Sequence, residues 1–312
     1  MNGEEAGDEG RAFAHLVTGS QQGTSYELPA LGKFSWENSV ASPASGQATV
    51  VVGLDDSTPG QVYVYVGDKQ RTGSAIDRAG LTGGSLYGVK VPGVASESRD
   101  TGVGGASVAF GLHAFGNVTN TTGAQLQAAS VANGVTEFLR PEDGQWDPSN
   151  PNDFYFVTTD RFENASQVGN SRLYRLRFAD VMNPALGGTV DMLLDGTEGP
   201  QMMDNMTIDT LGNVLLQEDP GGQDYLARIW TYDIANDTVT AIAQHDPARF
   251  TPGAPGFLTR DEESSGIIDA SEILGPGWFL ANVQAHYSIG DTELVEGGQL
   301  FALYSPASDR TR

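Results

Sequence analysis

Apolar side chains in this sequence alternate with period two, in runs of 4 to 8 residues bounded by Gly, Pro, Asn and Asp. This period is typical of β-strands, and long helical patterns are scarce. The run Ala48–Gly53, the turn Asp55–Gly60 and the run Gln61–Gly67 together predict a β-hairpin. A short helix is expected only near Ala124–Ala132. Forty glycines and fifteen prolines agree with an all-β protein rich in turns.

The same strand pattern recurs along the chain. Further strands are predicted at 153–159, 171–178, 205–208, 214–217, 227–232, 238–243, 277–283 and 299–304. Repeated small antiparallel sheets predict an all-β fold of the β-propeller class with an incomplete set of blades, and a β-sandwich is the alternative. We expect one propeller domain over residues 31–312. Residues 1–30 are expected to be an N-terminal segment, partly disordered or a remnant of an upstream blade.

Acidic residues dominate the charge, with forty Asp and Glu against seventeen Lys and Arg and a formal net charge of −23. This balance disfavours nucleic acids and anionic membrane surfaces as partners, because phosphate contacts need clustered cations. The excess acid fits solubility, a salty habitat, or carboxylates that hold hard cations such as calcium. The absence of cysteine excludes disulfides, zinc–thiolate sites and cysteine nucleophiles from this chain.

No stretch approaches the roughly 18 apolar residues that a membrane span needs, so we expect no stable membrane insertion. The first ten residues, MNGEEAGDEG, lack the basic and apolar regions of a signal peptide. We therefore expect either a cytoplasmic protein or a truncated form of a longer chain.

The segment Arg140-Pro-Glu142-Asp143 precedes a predicted strand. On extended backbone Arg140 and Glu142 would share one face, because the strand period is two. That arrangement predicts a cation that clamps an oxyanion beside a carboxylate that binds a metal. An exposed loop ion pair of under about 1 kcal/mol is the alternative.

Other candidate ligands are acids at strand ends. Glu37 lies three residues after Phe34 and directly after Trp36. These aromatic neighbours suggest a partly buried carboxylate, which must be paired or bound to a metal. The alternative is an acid at a strand end that points into water. The recurrent acids after first strands are Asp55, Asp56, Asp160, Asp204, Glu218, Asp219 and Glu263. Individually they fit turn chemistry, but in a propeller they would converge and need cations. Among the four histidines, His286 alone has a suggestive place, after the strand GWFLANVQ.

Several ordered motifs resemble the PhoX-type alkaline phosphatase family of bacterial propeller proteins. The motifs are LGKFSWEN (31–38), VVGLDDSTPGQVYVYVG (51–67), FLRPED (138–143), DNMTIDTLGNVLLQED (204–219), ARIWTYD (227–233), ESSG (263–266) and NVQAHY (282–287). The resemblance runs from about Leu31 to the C-terminus.

The resemblance implies a cluster of calcium and iron ions that acts on phosphate monoesters. It assigns Arg140 to the phosphate and Glu37 and Glu142 to the metals. It also assigns Asp204, Glu263 and Asp55 to acidic positions near the site.

The chain departs from the family in two places. Characterised members carry an iron-ligating cysteine in a Thr-Cys-Glu-Glu type segment, which we do not find before Glu37, and their His-Glu pair is Trp36-Glu37 here. We expect an N-terminally truncated member, whose parent protein is exported to the periplasm or secreted.

Three functions remain open at this stage. The favoured one is a metal-dependent hydrolase of phosphorylated small molecules that acts as a monomer. The alternatives are a non-catalytic, calcium-stabilised propeller for binding, and a lactonase or phosphodiesterase on the same fold.

Overall fold

The computed structural model describes residues 1–44, 46–160 and 169–309. Its strands confirm the all-β class. The strands are β1 (Asn2–Gly3), β2 (Ala12–His15), β3 (Ser25–Glu27), β4 (Trp36–Ala41), β5 (Ala48–Asp55), β6 (Gly60–Asp68), β7 (Ser85–Lys90), β8 (Ser107–Gly116), β9 (Glu137–Phe138), β10 (Pro141–Trp146), β11 (Asp153–Thr158), β12 (Arg172–Phe178), β13 (Gly188–Leu194), β14 (Met203–Ile208), β15 (Asn213–Glu218), β16 (Arg228–Asp233), β17 (Thr238–Gln244), β18 (Glu262–Asp269), β19 (Trp278–Ser288) and β20 (Glu296–Tyr304). The helices are α1 (Ala75–Arg78), α2 (Gly123–Asn133), α3 (Pro247–Phe250) and α4 (Ser271–Leu274), with 3-10 turns at Pro29–Leu31, Pro184–Leu186 and Pro306–Ser308.

The chain folds as two compact units. The first comprises Met1–Trp146, Asn150–Phe156 and Tyr174–Leu193, and the second comprises Asp147–Ser149, Val157–Leu173 and Leu194–Arg312. Most of the segment between the predicted strands 153–159 and 171–178 falls on residues 161–168, outside the described residues.

The strands form antiparallel sheets in which most neighbours are consecutive in the chain, whereas β13 pairs with β8 across a crossover. A small sheet has the order β1-β2-β3, and a large one has the order β10-β11-β12-β13-β8-β7-β6-β5-β4, with β9 paired to β6. Two further sheets, β14-β15-β16-β17 and β18-β19-β20, belong to the second unit. The predicted hairpin of β5 and β6 is confirmed, and so are the strands predicted from residue 205 onward, because alternation and turn residues are local signals.

The large sheet nearly closes on itself within the first unit. The indole Nε1 of Trp146 in β10 donates to the carbonyl oxygen of Val40 in β4 at 3.1 Å. The Asn38 amide nitrogen also donates to Asp143. The two end strands of the path therefore lie side by side, and both contribute side chains to the same edge.

The hairpin of β5 and β6 separates two hydrophobic cores. Val50 and Val52 enter one core with Phe156, whereas Val51, between them in the sequence and on the opposite face, packs in the other core with Trp36. Successive strand residues point to opposite faces, so a strand buried on both sides reads as a continuous apolar run. This explains the sequence VVV at the start of the hairpin.

Residues 2–27 supply the small sheet of the first unit. Ala12 and Leu28 are buried in the core that contains Trp36. The Trp36 N–H donates to the Glu4 carbonyl oxygen at 3.2 Å, which fixes the chain after β1 against β4. Whether residues 1–30 derive from an upstream blade stays a prediction.

The helix expected near Ala124–Ala132 is α2, which is slightly longer than predicted. Thr122 and Gln125 form a capping box at its start, and Gly134, with a φ of 65°, ends it. No helix in the described part of the chain is long and apolar enough to cross a membrane. Strand β8 was not predicted, because its sequence SVAFGLHAFG alternates weakly and contains glycine.

Gly10 lies where two chain segments meet. A Cβ atom at this residue would lie 2.2 Å from the Glu4 carbonyl oxygen and 2.4 Å from the Phe34 carbonyl oxygen. Gly10→Ala should therefore loosen the N-terminal sheet and lower stability by roughly 1–3 kcal/mol, as overpacking does. Hydrogen exchange of the amides of β1 and β2 and chemical unfolding check this. Gly83→Ala is the matched control, because no atom lies within 4 Å of a Cβ built at Gly83, and protection equal to the wild type in both variants would contradict the prediction.

Candidate metal centre

Backbone irregularities bring several carboxylates to one edge of the first unit. Glu37 sits at a bulge in β4, where the pairing with β5 shifts between Trp36 and Asn38. Bulges redirect side chains and are frequent beside active sites. Asp56 follows the last residue of β5, and Glu142 is the second residue of β10.

These carboxylates lie close together. Glu5, Glu37 and Asp56 each offer an oxygen atom, and these atoms lie within 4.8 Å of one another. Glu37 also offers an oxygen within 4.8 Å of one from Glu142. We call Glu5, Glu37, Asp56 and Glu142 the carboxylate group. The Glu142 side chain is 1% exposed and that of Asp56 is 8% exposed, so water screens their charges poorly.

Arg140 joins two members of the carboxylate group. Its Nε and Nη2 donate to the two carboxylate oxygens of Asp56 at 2.9 and 3.1 Å, and Nη2 lies 2.9 Å from Glu142 Oε1. The expected meeting of Arg140 and Glu142 is observed, but its assumed cause is wrong. Arg140 has a φ of 59°, so its backbone is left-handed rather than extended. A non-glycine residue in this conformation costs about 1–3 kcal/mol and typically persists where the surroundings hold it.

The donor set of the carboxylate group fits a hard cation. If ionised, its four carboxylates carry four negative charges against the single positive charge of Arg140. Glu5 is exposed and Glu37 is half-buried, but like charges at this spacing beside the buried Glu142 repel one another unless a cation neutralises them. Carboxylate oxygens are the ligands that calcium and other hard cations prefer. The site therefore fits a hard metal ion.

Asp55, a predicted ligand, is buried in the turn after β5. Its oxygens accept hydrogen bonds from the Ser35 N–H at 3.2 Å, the Ser57 hydroxyl at 2.8 Å and the Gln61 N–H at 3.4 Å. Burial raises the pKa of Asp55 to about 7, against the opposing effect of these hydrogen bonds. These contacts suit the turn chemistry also considered for it, and its role as a metal ligand stays a prediction.

Asp204, the predicted ligand in β14, lies in the second unit. It occupies a bulge, because the pairing of β14 with β15 shifts between Met203 and Met206. The amide nitrogen of Asn205 donates to the carboxylate of Asp204. The amide oxygen of Asn205 accepts a hydrogen bond from the Gly266 N–H. As with Glu37, a strand irregularity therefore sets the direction of a candidate carboxylate.

Glu263, the last predicted ligand, contacts His286 in the second unit. The ring of His286 lies between two carboxylates, with Nδ1 3.0 Å from Glu296 and Nε2 3.4 Å from Glu263. Burial lowers the pKa of His286, but hydrogen bonds to Glu296 and Glu263 and the charge of Asp261 raise it above its ordinary value overall. Burial in turn raises the pKa of Glu263. The contact of His286 with two carboxylates is observed, and its part in a functional site stays a prediction.

A further pair of acids in the second unit is buried around the start of β16. Glu218 accepts hydrogen bonds from the Trp230 indole at 2.9 Å and the Arg228 N–H at 2.8 Å. Glu262 is fully buried; its Oε1 accepts from the Ala227 N–H at 3.2 Å, and its Oε2 has no hydrogen-bond partner among the described residues. Burial raises the pKa of each carboxyl to about 7.

Sequence reasoning missed one member of the carboxylate group and undervalued another. Asp56 was noted as a strand-end acid, but its neighbour Asp55 was preferred. Glu5 was not singled out, because an acid-rich segment such as MNGEEAGDEG carries no periodicity that would predict its place. Only the contact of the N-terminal segment with β4 brings Glu5 to Glu37.

Comparison with solved structures defines the fold class. The chain is similar to Pseudomonas fluorescens PhoX in complex with vanadate, a transition state analogue, with a TM-score of 0.63 and 16% sequence identity. The similarity covers 91% of this chain and 55% of that chain, so the protein spans little more than half of its structural neighbour. The nearly closed sheet and this neighbour identify an all-β protein of the β-propeller class.

The family follows from comparison with family models. The model described as alkaline phosphatase PhoX matches residues 18–251. The chain therefore belongs to the PhoX alkaline phosphatase family, as its motifs suggested. No curated protein matches the chain.

Removing the charge of Arg140 tests the electrostatic balance of the carboxylate group. Arg140→Gln leaves the buried Glu142 without the guanidinium that pairs with it. In the presence of a chelator, which removes metal ions, this loss should destabilise the protein by roughly 3 kcal/mol. Added calcium should recover part of the loss. Chemical unfolding with and without calcium measures both effects. Arg260→Gln is the control, because its ion pair with Asp224 is exposed and should change stability by less than about 1 kcal/mol; equal effects of the two variants would refute the argument.

The raised pKa of Glu262 predicts a pH dependence of stability. The folded protein keeps the proton up to about pH 7, whereas the unfolded chain loses it near pH 4.5. The folded state therefore binds more protons in this window, and stability should fall as the pH rises from 4.5 to 7.

Glu262→Gln should flatten that profile in part, since Glu218 shifts in the same direction. Melting temperatures at several pH values check it, with Glu272→Gln on the exposed surface of α4 as control. An unchanged slope in Glu262→Gln would show that the buried carboxyl is not responsible.

Proposed function

We propose that the chain carries the metal-binding part of a hydrolase that cleaves phosphate monoesters. Membership of the PhoX alkaline phosphatase family supports a phosphatase. The observation that carries the proposal to particular residues is the contact of Arg140 with both Asp56 and Glu142, beside Glu37. A guanidinium among carboxylates offsets part of their negative charge. It can also donate hydrogen bonds to an anionic substrate such as a phosphate ester.

Glu5, Glu37, Asp56 and Glu142 would hold the cations. When bound, hard cations supply Lewis acidity toward a phosphoryl oxygen and lower the pKa of water. The residues themselves fix the position of that positive charge, because Glu37 is set by a bulge and Glu142 lies in a paired strand. The low exposure of Glu142 and Asp56 keeps the electrostatic effect strong.

Arg140 would bind the phosphoryl group. Its guanidinium presents several N–H donors in one plane, which match the oxygens of a phosphate. With cations neutralising Asp56 and Glu142, the pull of these carboxylates on Arg140 would weaken. Arg140 could then donate to equatorial oxygens, where charge is stabilised in the transition state.

Calcium is the proposed cofactor, with iron as a second candidate from the family resemblance. Asp204, Glu263 and Asp55 are further proposed metal ligands on the same ground. The absence of cysteine means that any iron in this chain is held without thiolate.

A phosphorylated small molecule is the proposed substrate. The structural neighbour was solved with vanadate, which suggests vanadate as an inhibitor to try here. The parent protein is proposed to work outside the cytoplasm, in the periplasm or after secretion, as the family typically does. Monomeric behaviour remains a prediction.

Turnover of p-nitrophenyl phosphate and elemental analysis of the 312-residue protein test the proposal together. We expect bound calcium, alone or with iron, and phosphate release that vanadate inhibits. The double variant Glu37→Gln/Glu142→Gln should lose the metal and at least about 100-fold in kcat/KM, since it removes two ligands. The exposed Glu272→Gln, which also replaces a carboxylate by an amide but lies outside the carboxylate group, serves as the control.

Each result has a distinct meaning. Undiminished turnover and metal content in the double variant would refute the assignment of the carboxylate group. Bound calcium that raises the melting temperature without any turnover would favour the binding propeller. Cleavage of a lactone or phosphodiester, with phosphate monoesters untouched, would favour the other hydrolases.

A further inference from the structure

A cavity of about 510 Å³ lies in the second unit between strands β16 and β17 on one side and β18, β19 and β20 on the other. The carboxylate group is not part of its lining. Its volume falls in the range of sites that bind small molecules, roughly 300–1,000 Å³. Nothing in the proposed phosphatase chemistry uses it.

Small side chains in the facing sheets create this cavity. Elsewhere the same two sheets pack closely through Leu215, Ile267 and Phe279. In the cavity the corresponding walls carry Ala227 and Ala285, which are buried, and the space beside them stays open. The cleft opens to solvent, since Gln244, Arg249 and Gln299 in its lining are exposed, so a small molecule can enter it.

The wall between the sheets is apolar, whereas Gln244, Ser264 and Gln299 add polar groups to the lining. Ile229, Val283 and Phe301 line the cavity, and Phe250 and Tyr287 add aromatic surface. Such walls suit an apolar, preferably aromatic, body, because aromatic rings favour edge or offset contacts with one another.

The mouth of the cavity is formed by the residues around α3. The ring of His245 contacts that of Phe250 edge-on, with centroids 5.4 Å apart. Burial lowers the pKa of His245 to about 4, so its imidazole is uncharged at neutral pH. The carboxylate of Asp246 accepts the Ala248 N–H at 2.9 Å and thereby caps α3.

Arg249 supplies the available positive charge at this mouth. In the chain as described it makes no ion pair, although the protein has forty acidic residues. An arginine beside an apolar cavity is suited to bind the anionic head of a molecule whose body enters the cavity.

We propose that this cavity binds an amphipathic organic anion, with an aromatic body between the sheets and one carboxylate, sulfonate or phosphate group at Arg249. The site is independent of the carboxylate group and of the proposed phosphatase activity. Its specificity rests on two separable features, the open volume beside the alanines and the charge of Arg249.

Titration calorimetry with naphthalene-2-sulfonate and with its uncharged analogue naphthalene-2-sulfonamide tests the proposal on the whole chain. The sulfonate should bind more tightly than the sulfonamide to the wild type. Arg249→Gln should weaken sulfonate binding at least about tenfold, the effect of losing one charge-assisted contact, and leave sulfonamide binding unchanged. Arg260→Gln, which removes an exposed arginine away from the cavity lining, should change neither affinity.

A variant that fills the cavity tests the location. Ala243→Leu places a larger side chain in the cavity wall and should abolish binding of both compounds. Amide shift changes at Ala227 and Ala285 on adding sulfonate to the wild type would support the location without any substitution. Three results would overturn the proposal. They are failure of the wild type to bind either compound, equal affinity of the wild type for the two compounds, and unchanged sulfonate binding in both Arg249→Gln and Ala243→Leu.

Discussion

Repulsion among four neighbouring carboxylates, only partly offset by one guanidinium, is the constraint around which the first unit is built. Glu37 and Glu142 come from the two end strands of the nearly closed sheet, and Arg140 bridges Glu142 to Asp56. Hydrophobic burial would not by itself bring such groups together, because Glu142 and Asp56 lose hydration when the strands pack. The two cores on either side of β5 and β6 therefore hold an electrostatically unfavourable arrangement, which a bound cation would stabilise. That is the usual relation between a rigid scaffold and a functional site.

Local departures from regular structure give the site its geometry. A bulge redirects Glu37, a second bulge carries Asp204, and a left-handed backbone conformation presents Arg140 directly before Pro141. Regular strands would have pointed these residues alternately to the two faces of a sheet. Each irregularity is costly alone, and each is stabilised by hydrogen bonds to residues far away in the sequence.

The difference between regular strands and local irregularities also explains which features the sequence could predict. The hairpin of β5 and β6 and the strands of the second unit were predictable, because alternation and turn residues are encoded within a few positions. The family and the roles proposed for Glu37 and Glu142 were accessible through motifs. Asp56 could not be separated from Asp55, since the choice depends on which of two adjacent side chains the turn uses for its own hydrogen bonds. The place of Glu5 depends on a contact between two segments whose sequences do not indicate that they meet. Strand β8 was not predicted, because its glycines weaken the alternation of apolar residues.

The contact of Glu5 with Glu37 and Asp56 has a topological meaning. A cation shared by these residues would join the start of the chain to the strands on which the sheet closes. It would thus act as a reversible cross-link in a protein that has no cysteine from which to make a covalent one. Cross-links between positions far apart in sequence restrict the unfolded ensemble most, because they close the longest loops. The ion would then contribute to the cohesion of the fold as well as to its chemistry, and a chelator would act on this protein much as a reducing agent acts on a disulfide-bonded one.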